Sequence, residues 1–231
     1  MNAPAVKICC IASVDEALLA LGAGAHALGL VSAMPSGPGV IDDATVAEVA
    51  SAVRRHAPQA QTFLLTARTQ AEAIAEQHAA AGTTTLQLVD HVPHGELRRL
   101  RALRPQARLV QVIHVRDEGS LDEASAAAPF VDALLLDSGN PALAVKELGG
   151  TGRTHDWALS RRIRDAVHPL PLYLAGGLHA GNVGAAIAAV RPWGLDLCSK
   201  VRTEGRLDAA KLDAFMAAVR AGALHPSQAA G

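Results

Sequence analysis

The sequence predicts a single (β/α)8 TIM barrel of the α/β class, on three observations. Its 231 residues are an ordinary length for one barrel domain. Short apolar runs alternate strictly with amphipathic segments, which implies parallel strands joined by helical crossovers. Half of the residues are hydrophobic but only 3% are aromatic, so Ala, Leu, Val and Ile must build the core. That supply suits helices packed on a buried parallel sheet.

The strands read as "VKICCI" (6–11), "AHALGLV" (25–31), "TFLLT" (62–66), "TTLQLV" (84–89), "RLVQVIHV" (108–115), "VDALLLD" (131–137), "PLYLA" (171–175) and "GLDLCS" (194–199). The helices between them carry their own punctuation. "SVDEALLALGAG" opens on a Ser N-cap with acids in its first turn and closes at glycine. "DDATVAEVASAVRRHAP" ends in basic residues and then proline. "TQAEAIAEQHAAAG", "HGELRRLRALRP", "SLDEASAAAP", "DWALSRRIRDAVHP", "AGNVGAAIAAVRP" and "DAAKLDAFMAAVRAG" complete the set. Eight units of roughly 25–30 residues match a small barrel, whereas a doubly wound sheet more often uses five or six strands. The barrel is expected over residues 1–221, and 222–231 read as a disordered tail.

The net charge is −1, from 21 basic and 22 acidic residues interspersed along the chain. There is no basic stripe with interleaved aromatics, so nucleic acid is not expected as a partner. No run has the length of a membrane span, no secretory leader opens the chain, and three cysteines make no disulfide framework. A cytoplasmic protein is expected, as a monomer or homodimer.

In a barrel the active site lies on the loops that follow the strands. The loops after strands 7 and 8 read "AGGLHAGNV" and "CSKVRTEG". Gly176 and Gly177 let the backbone approach a phosphate, Ser199 adds a hydroxyl and Lys200 a charge, so a small phosphorylated substrate is favoured. The alternative is a plain tight turn. Asp137, at the end of strand 6, is either an active-site acid or a loop cap. "GGTGRTHDW" (149–157) is glycine-rich but lacks P-loop spacing, and its Asp156 can cap the next helix. His91, His94, His114, His155 and His179 fall on the same face with no spaced ligand motif, so no metal site is expected.

Alternation within strand 1 puts Lys7 and Cys9 in the barrel interior and Ile8 and Cys10 against the helices. Cys9, nearer the catalytic end, is then a candidate base.

Together "KICCIAS", "GAHALGLV", "LLLDS…GGTGRTHDW", "PLYLAGGLHAGNVGAAIAAVRPWGLDL" and "KLDAFMAAVR" resemble the phosphoribosylanthranilate isomerases, over about residues 6–221. The resemblance implies a cofactor-free Amadori rearrangement of N-(5′-phosphoribosyl)anthranilate on a TIM barrel in tryptophan biosynthesis. It implies Cys9 as general base and Asp137 as general acid, with further substrate contacts at Lys7, Gln87, Gly150 and Arg153. Several positions depart from the family pattern. No arginine stands between Leu30 and Val53, where S-x-R is usual and would hold the anthranilate carboxylate. Q-L-H-G is "QLVD", S-S-G-V-E is "CSKVR", and the glycine of K-I-C-G is Cys10. Lys200, Arg153 and Arg202 are the candidate cations to stand in. A diverged enzyme for another phosphorylated aminosugar, or a non-catalytic phosphometabolite-binding protein, are the alternatives these departures raise.

Overall fold

A computed structural model of the chain describes residues 3–35, 37–138 and 156–224. The strands β1 (Ala5–Ile8), β2 (Ala27–Val31), β3 (Gln61–Thr66), β4 (Thr85–Leu88), β5 (Arg108–His114), β6 (Ala133–Asp137), β7 (Leu172–Leu174) and β8 (Gly194–Leu197) pair in sequence order into a closed barrel. All pairings are parallel, including β1 with β8, which closes the ring. Around it lie α1 (Val14–Gly22), α2 (Asp43–His56), α3 (Ala71–Ala81), α4 (His94–Leu103), α5 (Gly119–Ala127), α6 (Trp157–Val167), α7 (Val183–Val190) and α8 (Ala209–Leu224).

The helices start where the capping chemistry says they should. Ser13 Oγ accepts the Glu16 N–H at 3.2 Å, Asp42 Oδ1 the Thr45 N–H at 2.7 Å, and Asp156 Oδ1 the Ala158 N–H at 2.7 Å. Gly82, with φ of 63°, closes α3 in the left-handed region.

Period-2 alternation then divides the apolar residues into two layers. Val6, Ile8, Leu28, Leu30, Leu64, Leu86, Leu134, Leu136, Leu172 and Leu195 pack with helix residues in the outer layer. Ala27, Phe63, Leu65, Val110, Val112, Ala133, Leu135 and Tyr173 form a separate cluster drawn only from strands and their ends, which is the barrel interior. Phe63 meets Tyr173 edge-on, with ring centroids 5.8 Å apart, and Tyr173 meets Trp193 at 5.1 Å. No helix among the described residues is long and apolar enough to cross a membrane.

Three features depart from the sequence reading. β1 ends at Ile8, because Cys10 adopts φ of 62° and turns the chain out of the strand. A small antiparallel hairpin, β9 (Arg202–Thr203) with β10 (Arg206–Leu207), intervenes between β8 and α8. The last helix continues to Leu224, past the expected boundary at 221, because Leu212, Phe215, Met216 and Val219 anchor it on the barrel. The rest of the expected tail, 225–231, lies outside the described residues.

Gly194 fixes how closely β7 and β8 pack. A Cβ there would stand 2.6 Å from the Tyr173 ring and 3.3 Å from the Ala5 carbonyl oxygen. Gly194→Ala is expected to destabilise the barrel by roughly 1–3 kcal/mol, the usual cost of overpacking, read from the urea midpoint.

Candidate active site

β1 and β8 set the centre of the site. Lys7 and Asp196 are register partners, and Lys7 Nζ lies 2.8 Å from Asp196 Oδ1 with side-chain exposures of 0% and 8%. Burial alone would depress the Lys7 ammonium. Asp196 outweighs it and, with the thiols of Cys9 and Cys10, holds Lys7 above its ordinary range. Its Nζ stands 5.2 Å from the centre of the Phe63 ring, a cation–π contact that fixes the charge from below.

Cys9 sits one turn of the pleat above Lys7. Its N–H donates to the Leu197 carbonyl at 2.8 Å, and the Ile11 N–H donates to the Gly29 carbonyl at 3.0 Å, so both neighbouring strands hold the segment after β1. Gly29 makes the space. A Cβ on it would stand 2.7 Å from Cys9 Sγ, 3.1 Å from Cys9 Cα and 3.1 Å from Lys7 Nζ. Thiol and ammonium therefore share the volume that a side chain on β2 would otherwise fill.

On the far side of the barrel, Asp137 and His114 are register partners at the ends of β6 and β5. Each stands two residues beyond an interior residue, Leu135 and Val112, so both side chains point inward. Burial pushes the Asp137 carboxyl above the carboxylate range, against the Ser138 N–H that donates to its Oδ1 at 2.7 Å. Nearby Asp196 pushes the same way, whereas His114 and Lys7 oppose it. His114 Nε2 lies 3.0 Å from the Val89 carbonyl oxygen and therefore carries the proton. That leaves His114 Nδ1 buried and without a partner, as is Gln87 Oε1 on β4. A buried unpaired acceptor costs roughly 1–3 kcal/mol, so a ligand that brings donors recovers it.

At β7 and β8 the chain makes the other half of the mouth. Gly176 and Gly177 both lie in the left-handed region, with φ of 84° and 63°. The Asn182 amide locks their turn, since its Nδ2 donates to the Gly177 carbonyl at 3.0 Å and its Oδ1 accepts the His179 N–H at 2.8 Å. Ser199 and Lys200 are exposed in the 3-10 turn Ser199–Val201 that follows β8. The fold thus brings Gly176, Gly177, Ser199 and Lys200 to the same end of two paired strands. Gly150, Arg153 and His155 lie outside the described residues.

Two expectations fail here. Cys10 does not pack on the helical layer. Its left-handed turn breaks the alternation and places it in the interior cluster, against Gly39 of the loop after β2, where an added Cβ would lie 2.4 Å from Cys10 Cβ. Arg202 is not a spare cation. Its Nη2 donates to the Cys9 and Cys10 carbonyls at 3.2 and 2.5 Å, and its Nη1 meets both Glu16 carboxylate oxygens at 3.1 Å. Glu16 also accepts the Ala12 and Leu207 N–H groups at 3.0 and 2.8 Å. The histidines disperse: His94 stacks on Phe130, His179 accepts the Gly181 N–H, and no three potential ligands converge among the described residues.

A family profile described as N-(5′-phosphoribosyl)anthranilate (PRA) isomerase matches residues 6–218. The chain belongs to this family. It is 36% identical to the N-(5′-phosphoribosyl)anthranilate isomerase of Pelobacter propionicus over 212 residues, 91% of this chain and 93% of the relative. It is 32% identical to that of Synechococcus elongatus over 215 residues, 93% of this chain and 95% of the relative. Among solved structures, phosphoribosyl anthranilate isomerase from Thermotoga maritima superposes with a TM-score of 0.79 at 26% identity, covering 94% of this chain and 99% of its own. A phosphoribosyl anthranilate isomerase in complex with reduced 1-(o-carboxyphenylamino)-1-deoxyribulose 5-phosphate gives 0.77 at 24%, with coverage of 94% and 99%.

For this isomerase-family chain, Asp196, Gly29 and the Glu16–Arg202 pair escaped the sequence reading, and His114 was seen only as a loop histidine. Asp196 had a signal: it is a lone charge at an interior-facing position of an apolar strand, as Lys7 is in β1. Gly29 and Arg202 had none, because their partners come from other strands.

Two outcomes follow from this geometry. Gly29→Ala is expected to displace Cys9 Sγ and lower turnover by about 10²-fold with far-UV circular dichroism unchanged. Because burial raises the Asp137 pKa above the unfolded value near 3.8, wild type loses stability as pH rises from that value to the folded one. Asp137→Asn removes this loss, so its urea midpoint should match wild type at pH 3 and exceed it at pH 7.

Proposed function

We propose that the chain catalyses the Amadori rearrangement of N-(5′-phosphoribosyl)anthranilate to 1-(2-carboxyphenylamino)-1-deoxyribulose 5-phosphate. One observation carries the reading: a buried carboxyl, its pKa raised by burial, and a thiol beside a buried ammonium face one interior from different strands. Those are the two groups of opposite duty that the reaction needs.

Asp137 gives its proton to the furanose ring oxygen as the C1′–O4′ bond breaks and the amine lone pair forms the C1′=N bond. Cys9, as thiolate, takes the proton from C2′, and the electrons of that C–H bond make the C1′=C2′ bond of the enolamine. Loss of the 2′-hydroxyl proton and protonation at C1′ then give the ketone. The Lys7 ammonium attracts the charge on sulfur, while Asp196 holds Lys7 in place. Gln87 Oε1 and His114 Nδ1, both unpaired, suit donors on the ribose hydroxyls or the amine. The phosphate suits the left-handed Gly176–Gly177 turn with the exposed Ser199 and Lys200.

A second reading rests on the other side of the mouth. The half-buried rim there, after β2 and β3, is Met34 and Ala67, and Arg202 is committed to Glu16 and two carbonyls. A carboxylate on this side meets no described arginine from the loop after β2, which favours a diverged phosphorylated aminosugar as substrate. Steady-state kinetics separate the two. Turnover of phosphoribosylanthranilate by wild type, falling about 10²–10⁴-fold in Cys9→Ala and in Asp137→Asn with KM little changed, is expected. No turnover by wild type, with phosphorylated ribose analogues still bound, would establish the second reading.

A further inference from the structure

Three thiols converge where β1 meets β8. Ile8 and Leu197 are register partners and the Cys9 N–H binds the Leu197 carbonyl, so Cys198 follows directly beside Cys9. The left-handed turn at Cys10 keeps it in the interior cluster rather than out against the helices. There it shares one cluster with Cys9, and Cys198 packs against that cluster. The Arg202 guanidinium closes the cluster, bonded to the Cys9 and Cys10 carbonyls and lying against the Cys198 sulfur.

The two outer thiols are unlike. Cys198 is half-buried at the rim, whereas Cys10 is buried behind it. The hydrogen bond from Cys10 draws Cys198 below the ordinary thiol range; burial opposes this and the Arg202 charge adds to it. The same hydrogen bonds, to Cys198 and then Cys9, together with burial hold Cys10 protonated. A half-buried thiol with a lowered pKa beside a cation, with a buried thiol of the same cluster behind it, is the arrangement of an attacking and a resolving cysteine.

We propose that Cys198 and Cys10 are an oxidation site for hydroperoxides, closing to an intramolecular disulfide beside Cys9. Cys198 thiolate attacks one peroxide oxygen, the O–O bond breaks, and Cys198 becomes a sulfenic acid as hydroxide (or alkoxide) leaves. Cys10 sulfur then attacks the Cys198 sulfur, its proton goes to the departing oxygen, and water is released. Two thiols are oxidised by two electrons and one hydroperoxide is reduced. The bridge ties the turn after β1 to the turn that carries Ser199 and Lys200. On the functional reading above, it takes Cys9 and the phosphate side out of register together.

Wild type treated with hydrogen peroxide and then N-ethylmaleimide should keep one alkylatable thiol of its three, with a Cys10–Cys198 bond in the peptide map and all three thiols restored by dithiothreitol. Cys9→Ser should still form the bond. Cys198→Ser should not, and in Cys10→Gly, a substitution suited to the φ of 62°, dimedone should trap Cys198 as the sulfenic acid. A bond that needs Cys9, or three thiols still alkylated in wild type, would overturn the proposal. The oxidised enzyme should turn over at least about tenfold slower and recover on reduction. Bond formation with full activity would overturn the link to catalysis. The thiol count does not use turnover, so an inactive reduced enzyme that still forms the bond would fail the functional reading alone.

Discussion

A lysine and an aspartate, neutralising each other inside a closed sheet, are the constraint around which the site is built. Lys7 has no exposed surface, and a lone ammonium in that interior would be prohibitively costly. Its partner must therefore come from an adjacent strand in register, and Asp196 on β8 is that partner. The pairing locks the closing seam of the barrel to one alignment, because a one-residue shift of either strand would turn its charge outward and leave the other buried without its partner. It also sets the chemistry above it. The charge that Asp196 holds is the charge that Cys9 meets, and the carboxylate of the pair adds to burial in raising the Asp137 pKa. Breaking such a pair by removing one member costs roughly 3–5 kcal/mol, so stability and chemistry share the same two residues.

The turn after β1 is the second place where local and distant structure are joined. A non-glycine residue at φ of 62° is strained by roughly 1–2 kcal/mol, and Cys10 stands there without the freedom of glycine. The strain is held by Arg202, whose guanidinium bonds the two carbonyls of the turn, and by Glu16, which anchors the guanidinium and the β10 backbone together. In the family pattern these positions read glycine and glutamate. Here the turn gains a thiol and its support gains a positive charge. The two departures thus lie in direct contact rather than scattered over the site.

Much of this was legible in the chain. Strict alternation of apolar runs with capped amphipathic segments specified eight parallel units, and the strands appear within a few residues of where the pattern puts them. The caps at Ser13, Asp42 and Asp156 are local chemistry and form as read. Lys7 and Cys9 could be placed in the interior because alternation within a strand depends only on the strand being straight. The same rule failed for Cys10 because the strand had already ended.

By itself, then, the sequence determined the barrel, its order of strands and the inward set of side chains, since helical and strand periodicity are properties of neighbours along the chain. Only the tertiary structure decided which groups meet. That Lys7 is neutralised by Asp196, that Gly29 yields its space to Cys9, that Arg202 serves the first turn and not a ligand, and that Cys198 joins the cluster of Cys9 and Cys10 all depend on residues far apart in sequence. The register of closure brings them within a few ångströms, and no local pattern encodes that register.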